Sequence, residues 1–121
     1  MKFIHSLYLI SITLLLSACT PHPASGVWKT KQDNDYGLAQ LIVAFDGKAN
    51  FATTKPDDAE WHCFWSGTSK KTIILKCTPS TDTGREEQFT LTVDDKGIAE
   101  FHHETELIAL LRRLNKNPLS E

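Results

Sequence analysis

No apolar run in this chain reaches the ~20 residues that a helix needs to cross a bilayer. The longest, Phe3 to Leu16, covers about 14 residues, a length that suits a signal-peptide core. Basic residues are never clustered beyond the pairs Lys70-Lys71 and Arg112-Arg113, and 13 Lys and Arg stand against 15 Asp and Glu. That balance excludes the cationic surface of a nucleic-acid binder. No phosphate loop, dinucleotide glycine fingerprint or zinc-protease helix is present. Ser66, Ser69 and Ser80 offer hydroxyls, but no Gly-x-Ser-x-Gly elbow accompanies them. These absences leave no catalytic constellation and no cofactor to expect, and they favour a non-enzymatic role.

The N-terminus is what remains most informative. Met1 and Lys2 supply a short positive start, the apolar segment follows, and Leu16-Ser17-Ala18-Cys19 closes it. This closing tetrapeptide resembles the lipobox of bacterial lipoproteins, and a plain signal peptide beside a stray cysteine is the competing reading. The resemblance implies that residues 1–18 are removed and that Cys19 becomes an acylated, palmitate-bearing first residue anchored in a membrane. Thr20 follows, where aspartate would retain an enteric-type lipoprotein at the inner membrane; the expected location is therefore the outer membrane, facing the periplasm. Residues 19–25, with Pro21 and Pro23, are expected to form an extended tether.

Removing 1–18 leaves 103 of the 121 residues, and loss of Lys2 shifts the formal charge from −2 to −3. That length supports one domain, expected over 26–114, with a C-terminal tail at 115–121. Period-two apolar spacing recurs throughout it. Leu41, Val43 and Phe45 share one face, followed by Asp46-Gly47; Ala49, Phe51 and Thr53 share the next. Trp61, Cys63 and Trp65 face one way, as do Ile73, Leu75 and Cys77, then Phe89, Leu91 and Val93 before Lys96-Gly97. Short alternating runs separated by turn dipeptides predict an antiparallel meander. Pairing Glu60–Gly67 with Thr72–Thr78 about Lys70 sets Cys63 opposite Cys77, close enough for a disulfide in an oxidising compartment. A free thiol pair or a two-cysteine metal site lacks both compartment and further cysteines.

The last segment reads two ways. Leu107, Leu110, Leu111 and Leu114 have helical spacing. Yet a strand over Glu106–Leu114 would close the sheet onto the first strand and remove two open edges, and a strand is the expectation.

Gly26-Val27-Trp28 opens the domain, Phe45-Asp46-Gly47-Lys48 precedes Phe51, and Trp61–Trp65 precedes Thr72-Ile73-Ile74-Leu75. Together these resemble the lipocalins and the smaller bacterial lipocalin-like domains, over most of residues 26–114. The resemblance implies a small eight-stranded barrel. It also implies that Trp28 packs across a closed end, with Arg112 or Arg113 over its ring. Strands of about six residues leave an interior just wide enough for their own side chains, unlike a ligand-carrying lipocalin.

Each remaining cluster has a plain alternative. His102-His103-Glu104 with His62 or Glu100 could hold a metal only if they converge, and adjacent strand residues point apart. Asp57-Asp58 and Glu60 read as solvated loop carboxylates. Trp61, Phe64 and Trp65 form a dense aromatic stretch beside the disulfide and, with Ile74, are the candidate binding residues; Phe64, opposite in direction to the two tryptophans, could join Ile74 in an exposed apolar patch. The expected role is a binding module for another envelope protein, of inhibitor, immunity or accessory type. A binder of a small hydrophobic ligand and a structural accessory of an envelope complex are the alternatives.

Overall fold

The computed structural model describes residues 21–54 and 59–114. The lipobox with Cys19, the Asp57-Asp58 pair and the tail at 115–121 lie outside the described residues. Eight strands follow in chain order: β1 (Gly26–Thr30), β2 (Gln40–Val43), β3 (Lys48–Ala52), β4 (Glu60–Gly67), β5 (Thr72–Pro79), β6 (Glu87–Val93), β7 (Ile98–His103) and β8 (Glu106–Arg113). Each pairs antiparallel with the next, and β8 returns to β1, so the meander closes into a barrel. The protein is mainly β, consistent with a small lipocalin-like barrel, and no helix occurs among the described residues.

Alternation decides which side chains enter the barrel. Trp28, Leu41, Phe51, Trp61, Leu75, Phe89, Leu91, Phe101 and Leu111 are all at most 4 % exposed. Rings crowd one half of the interior: Phe51 stacks on Trp61 with centroids 5.7 Å apart, and Phe89 stacks on Phe101 at 5.1 Å. Phe51 meets Phe89 edge-on at 5.5 Å and links the two stacks. Each such side chain fully removed from water stabilises the fold by ~1.5–3 kcal/mol.

β8 is a strand despite its helical leucine spacing, and a bulge explains the pattern. Phe101 pairs with Ala109 but His102 with Leu107, so Ile108 is an extra residue on β8. The bulge changes which residues face in: Ala109 and Leu111 point inward, while Leu107 and Leu110 stand 48 % and 40 % exposed.

Two sequence expectations are corrected. Phe45 does not continue the inward face of Leu41 and Val43; it is 64 % exposed. β2 ends at Val43, where Ala44 N–H bonds Lys48 O at 2.8 Å and Asp46 accepts Lys48 N–H at 3.1 Å. That tight turn, with Gly47 at φ 88°, rotates Phe45 outward. Nor is the described part of the tether, Pro21–Ser25, a free extended linker: Ala24 is fully buried and Ser25 is 7 % exposed. Ser25 N–H bonds His22 O at 3.0 Å, which folds the segment into a turn against the barrel.

Cys63 and Cys77 are directly paired across β4 and β5 and joined by a disulfide, with Cα atoms 4.0 Å apart. Closing a loop of 14 residues contributes about 3 kcal/mol by restricting the unfolded chain. Cys63→Ser is expected to lower the urea-unfolding free energy by about that amount, and reduced wild type should match the variant. Equal stability of oxidised wild type and variant would refute this account.

Candidate functional site

In a meander the connections alternate between the two ends. The β1–β2, β5–β6 and β7–β8 connections, with the described ends of β3–β4, surround one end, the mouth. The turns at 44–47, 68–71 and 94–97 surround the other, together with the residues before β1 and after β8. The Pro21–Ser25 segment covers this second, closed end.

Arg113 organises the closed end. Its guanidinium carbon lies 4.3 Å from the Trp28 ring centroid. Its Nη1 donates to Ser25 O at 2.6 Å and its Nη2 donates to Pro23 O. Trp28 Nε1 in turn donates to Ala24 O at 2.9 Å. Because Leu111 points inward, alternation sends Arg112 outward beside Lys29 and brings Arg113 over the ring. Burial lowers the Arg113 pKa from its ordinary value; an arginine still keeps its charge at neutral pH. Gly26 explains the Gly-x-Trp spacing. Its φ is +133°, and a Cβ there would stand 2.5 Å from Arg113 Nη1. On the far side of the same end, His22 bonds Ser69 O at 2.7 Å and meets Trp65 edge-on at 5.9 Å. Trp65 Nε1 donates to Ala44 O at 2.9 Å, latching the β2–β3 turn.

The mouth carries a different chemistry. Arg85 sits 5.4 Å from the Trp61 ring and pairs with Glu87, whose other oxygen is 3.1 Å from His103 Nε2. Tyr36 reaches the same region; burial raises its phenol pKa, and the charges of Glu106 and Glu87 add to the shift. Trp61 Nε1 has no hydrogen-bond partner among the described residues, so stacking holds the indole in place. His102 and Glu100 approach only to 3.9 Å, while His62 stands on β4 between Asn50 and Thr78. The histidines of β7 do not converge with it. Among the described residues no three His, Cys, Asp or Glu side chains are placed to hold a metal ion.

The two ends differ in charge. Around the mouth, Asp33, Asp35, Glu60, Asp82, Glu86, Glu87, Glu104 and Glu106 outnumber Lys31 and Arg85 among the described residues. At the closed end, Lys48, Lys70, Lys71, Lys96, Arg112 and Arg113 outnumber Asp46, Asp94 and Asp95. Asp94 accepts Ile98 N–H at 2.9 Å and Lys96 N–H at 2.8 Å. Those bonds, the one from Ile98 foremost, hold its carboxyl below the usual range.

Of the four residues singled out for binding, the structure separates two from two. Trp61 is buried inside the barrel, and Trp65 is half-buried with its indole N–H bonded to Ala44 O. Phe64 is 70 % exposed on the outer wall, in one row with Lys48 and Lys76. Ile74 lies diagonally across, paired with Ser66, and is partly buried. Phe45, Leu107 and Leu110 are exposed apolar residues that alternation did not disclose. The Asp-Gly turn after Phe45 was the available signal for the first, whereas the bulge hides the other two. Grooves of 220 and 330 Å³ run beside β1 and β8 on the outside, lined by Lys29, Lys31, Leu107, Leu110 and Arg112 among others.

No protein-family model, no curated protein and no solved structure matches this chain.

Arg113→Ala is expected to cost about 2–4 kcal/mol, from the cation–π contact and two carbonyl bonds. Gly26→Ala should cost less when placed on Arg113→Ala than on wild type, because the guanidinium it would meet is gone. A thermodynamic cycle from denaturant melts measures this coupling; strict additivity would show that Gly26 and Arg113 act separately.

Proposed function

We propose that this chain is a lipid-anchored, non-enzymatic binding module of a bacterial envelope. It is held in the outer membrane through Cys19, facing the periplasm, and engages another envelope protein through the outside of its barrel. The observation that carries this reading is the filled interior. Trp61, Leu75, Phe89 and Leu91 pack inside with at most 3 % exposure, so contact with a partner falls to the wall and the mouth. A carrier of a small hydrophobic ligand would instead use a lined chamber of ~300 Å³ or more.

Phe64 is the best-placed anchor for such contact. An aromatic ring flanked in its row by Lys48 and Lys76 offers apolar area beside cationic groups, a pairing suited to a protein surface with a shallow pocket and a nearby carboxylate. Its backbone lies in the most extended pairing of the barrel, with β4 and β5 matched over seven positions and joined by the disulfide. Side chains on so rigid a wall lose little freedom on binding.

The test is mild cross-linking of the full-length lipoprotein in its own envelope, followed by native mass spectrometry. A discrete protein adduct in the membrane fraction is expected, and Phe64→Asp should remove it while the melting curve stays within about 0.5 kcal/mol of wild type, as for a surface change. An adduct that persists in Phe64→Asp would move the contact off this wall. A small bound mass that leaves on denaturation, with no protein adduct, would overturn the reading in favour of a ligand carrier.

A further inference from the structure

Apart from Lys48, which also flanks Phe64, the closed end carries features that partner binding on the wall does not use. Phe45 stands out from the β2–β3 turn with 64 % of its surface exposed. Lys48, Lys70, Lys96 and Arg112 are exposed around the same end. The carboxylates there keep their charge but are outnumbered by the basic groups: Asp46 and Asp94 accept turn N–H groups, and Asp95 pairs with Lys71 at 3.1 Å. Pro21 leaves from this end, strapped down through His22 and Arg113. It is two residues from Cys19, at most about 7 Å of chain.

We propose that the closed end is a membrane-docking face: Phe45 enters the headgroup region of the bilayer while Lys48, Lys70, Lys96 and Arg112 meet anionic phospholipid headgroups. The proposal rests on Cys19 being the lipid anchor. An exposed aromatic ring within a cationic surround is the composition that binds at a membrane interface. Each basic side chain beside an anionic bilayer adds about a fivefold preference for the surface. The acyl chains already confine the domain to the bilayer, so contacts too weak to recruit it suffice to orient it. The acidic mouth is repelled by the same surface, so both ends favour one posture. The barrel stands on its closed end, with the wall bearing Phe64 accessible from the side.

The experiment uses the full-length lipidated chain carrying Phe45→Trp, reconstituted on phosphatidylcholine vesicles with phosphatidylglycerol and with lipids brominated high on the acyl chain. The emission added by the new tryptophan is expected to be quenched. Quenching should fall severalfold when phosphatidylglycerol is omitted or when Lys70→Glu and Lys96→Glu are added. Glu86→Trp, at the mouth, should remain unquenched. A chain that floats with the vesicles but shows equal quenching at both positions, or none at either, overturns the docking face and leaves the anchor standing. A chain that does not float overturns both.

Discussion

The guanidinium of Arg113 over the ring of Trp28 is the contact on which the rest of the structure depends. It joins the last strand to the first, and its remaining donors reach Ser25 and Pro23. The same side chain thus seals the sheet, caps the core and fastens the incoming segment. The need for glycine at position 26 follows from it, since the space a Cβ would fill is taken by the guanidinium. A lysine could supply the charge, but it lacks the planar fork that stacks on a ring and donates in two directions at once.

From that fastening comes the polarity of the molecule. One end is tied down, capped and basic; the other has three longer connections and one of two residues, a Trp61–Arg85–Glu87–His103 chain and a carboxylate excess. Between them the core is filled by phenylalanines and Trp61 toward the mouth, and by aliphatic side chains around Trp28 toward the cap. A solid barrel of this kind has only its exterior to offer. That physical fact underlies the proposal of a binding module more than any single residue does.

Much of the fold was legible because period-two spacing is a strong signal when one face is buried. The antiparallel meander and the Cys63–Cys77 pairing follow from alternation plus turn chemistry, whereas an arginine over Trp28 is what the lipocalin resemblance implied. The failures have equally local causes. Phe45 fits the inward pattern of Leu41 and Val43, but the strand stops two residues earlier, where the Asp46 turn begins. Leu107 and Leu110 looked helical because a single extra residue, Ile108, shifts the pleat between them. Pro21–Ser25 looked like a linker because its fastenings are long-range: Ser69 and Arg113 are distant in sequence and invisible to a local reading. The site was less legible than the fold. Exposure of an apolar residue depends on where strands end and bulge, and alternation does not encode that.

The seam between β1 and β8 spans only three paired positions, Trp28 with Arg113, Lys29 with Arg112 and Thr30 with Leu111. These positions come from the first and last strands of the barrel, so the sheet has two open edges until the final strand has been made. A chain emerging in order, N-terminus first, holds seven strands that cannot close and a Trp28 with no arginine to cover it. The cost of bringing such distant segments together falls on the last step of folding. The barrel therefore stays open through synthesis and shuts only when residue 113 arrives.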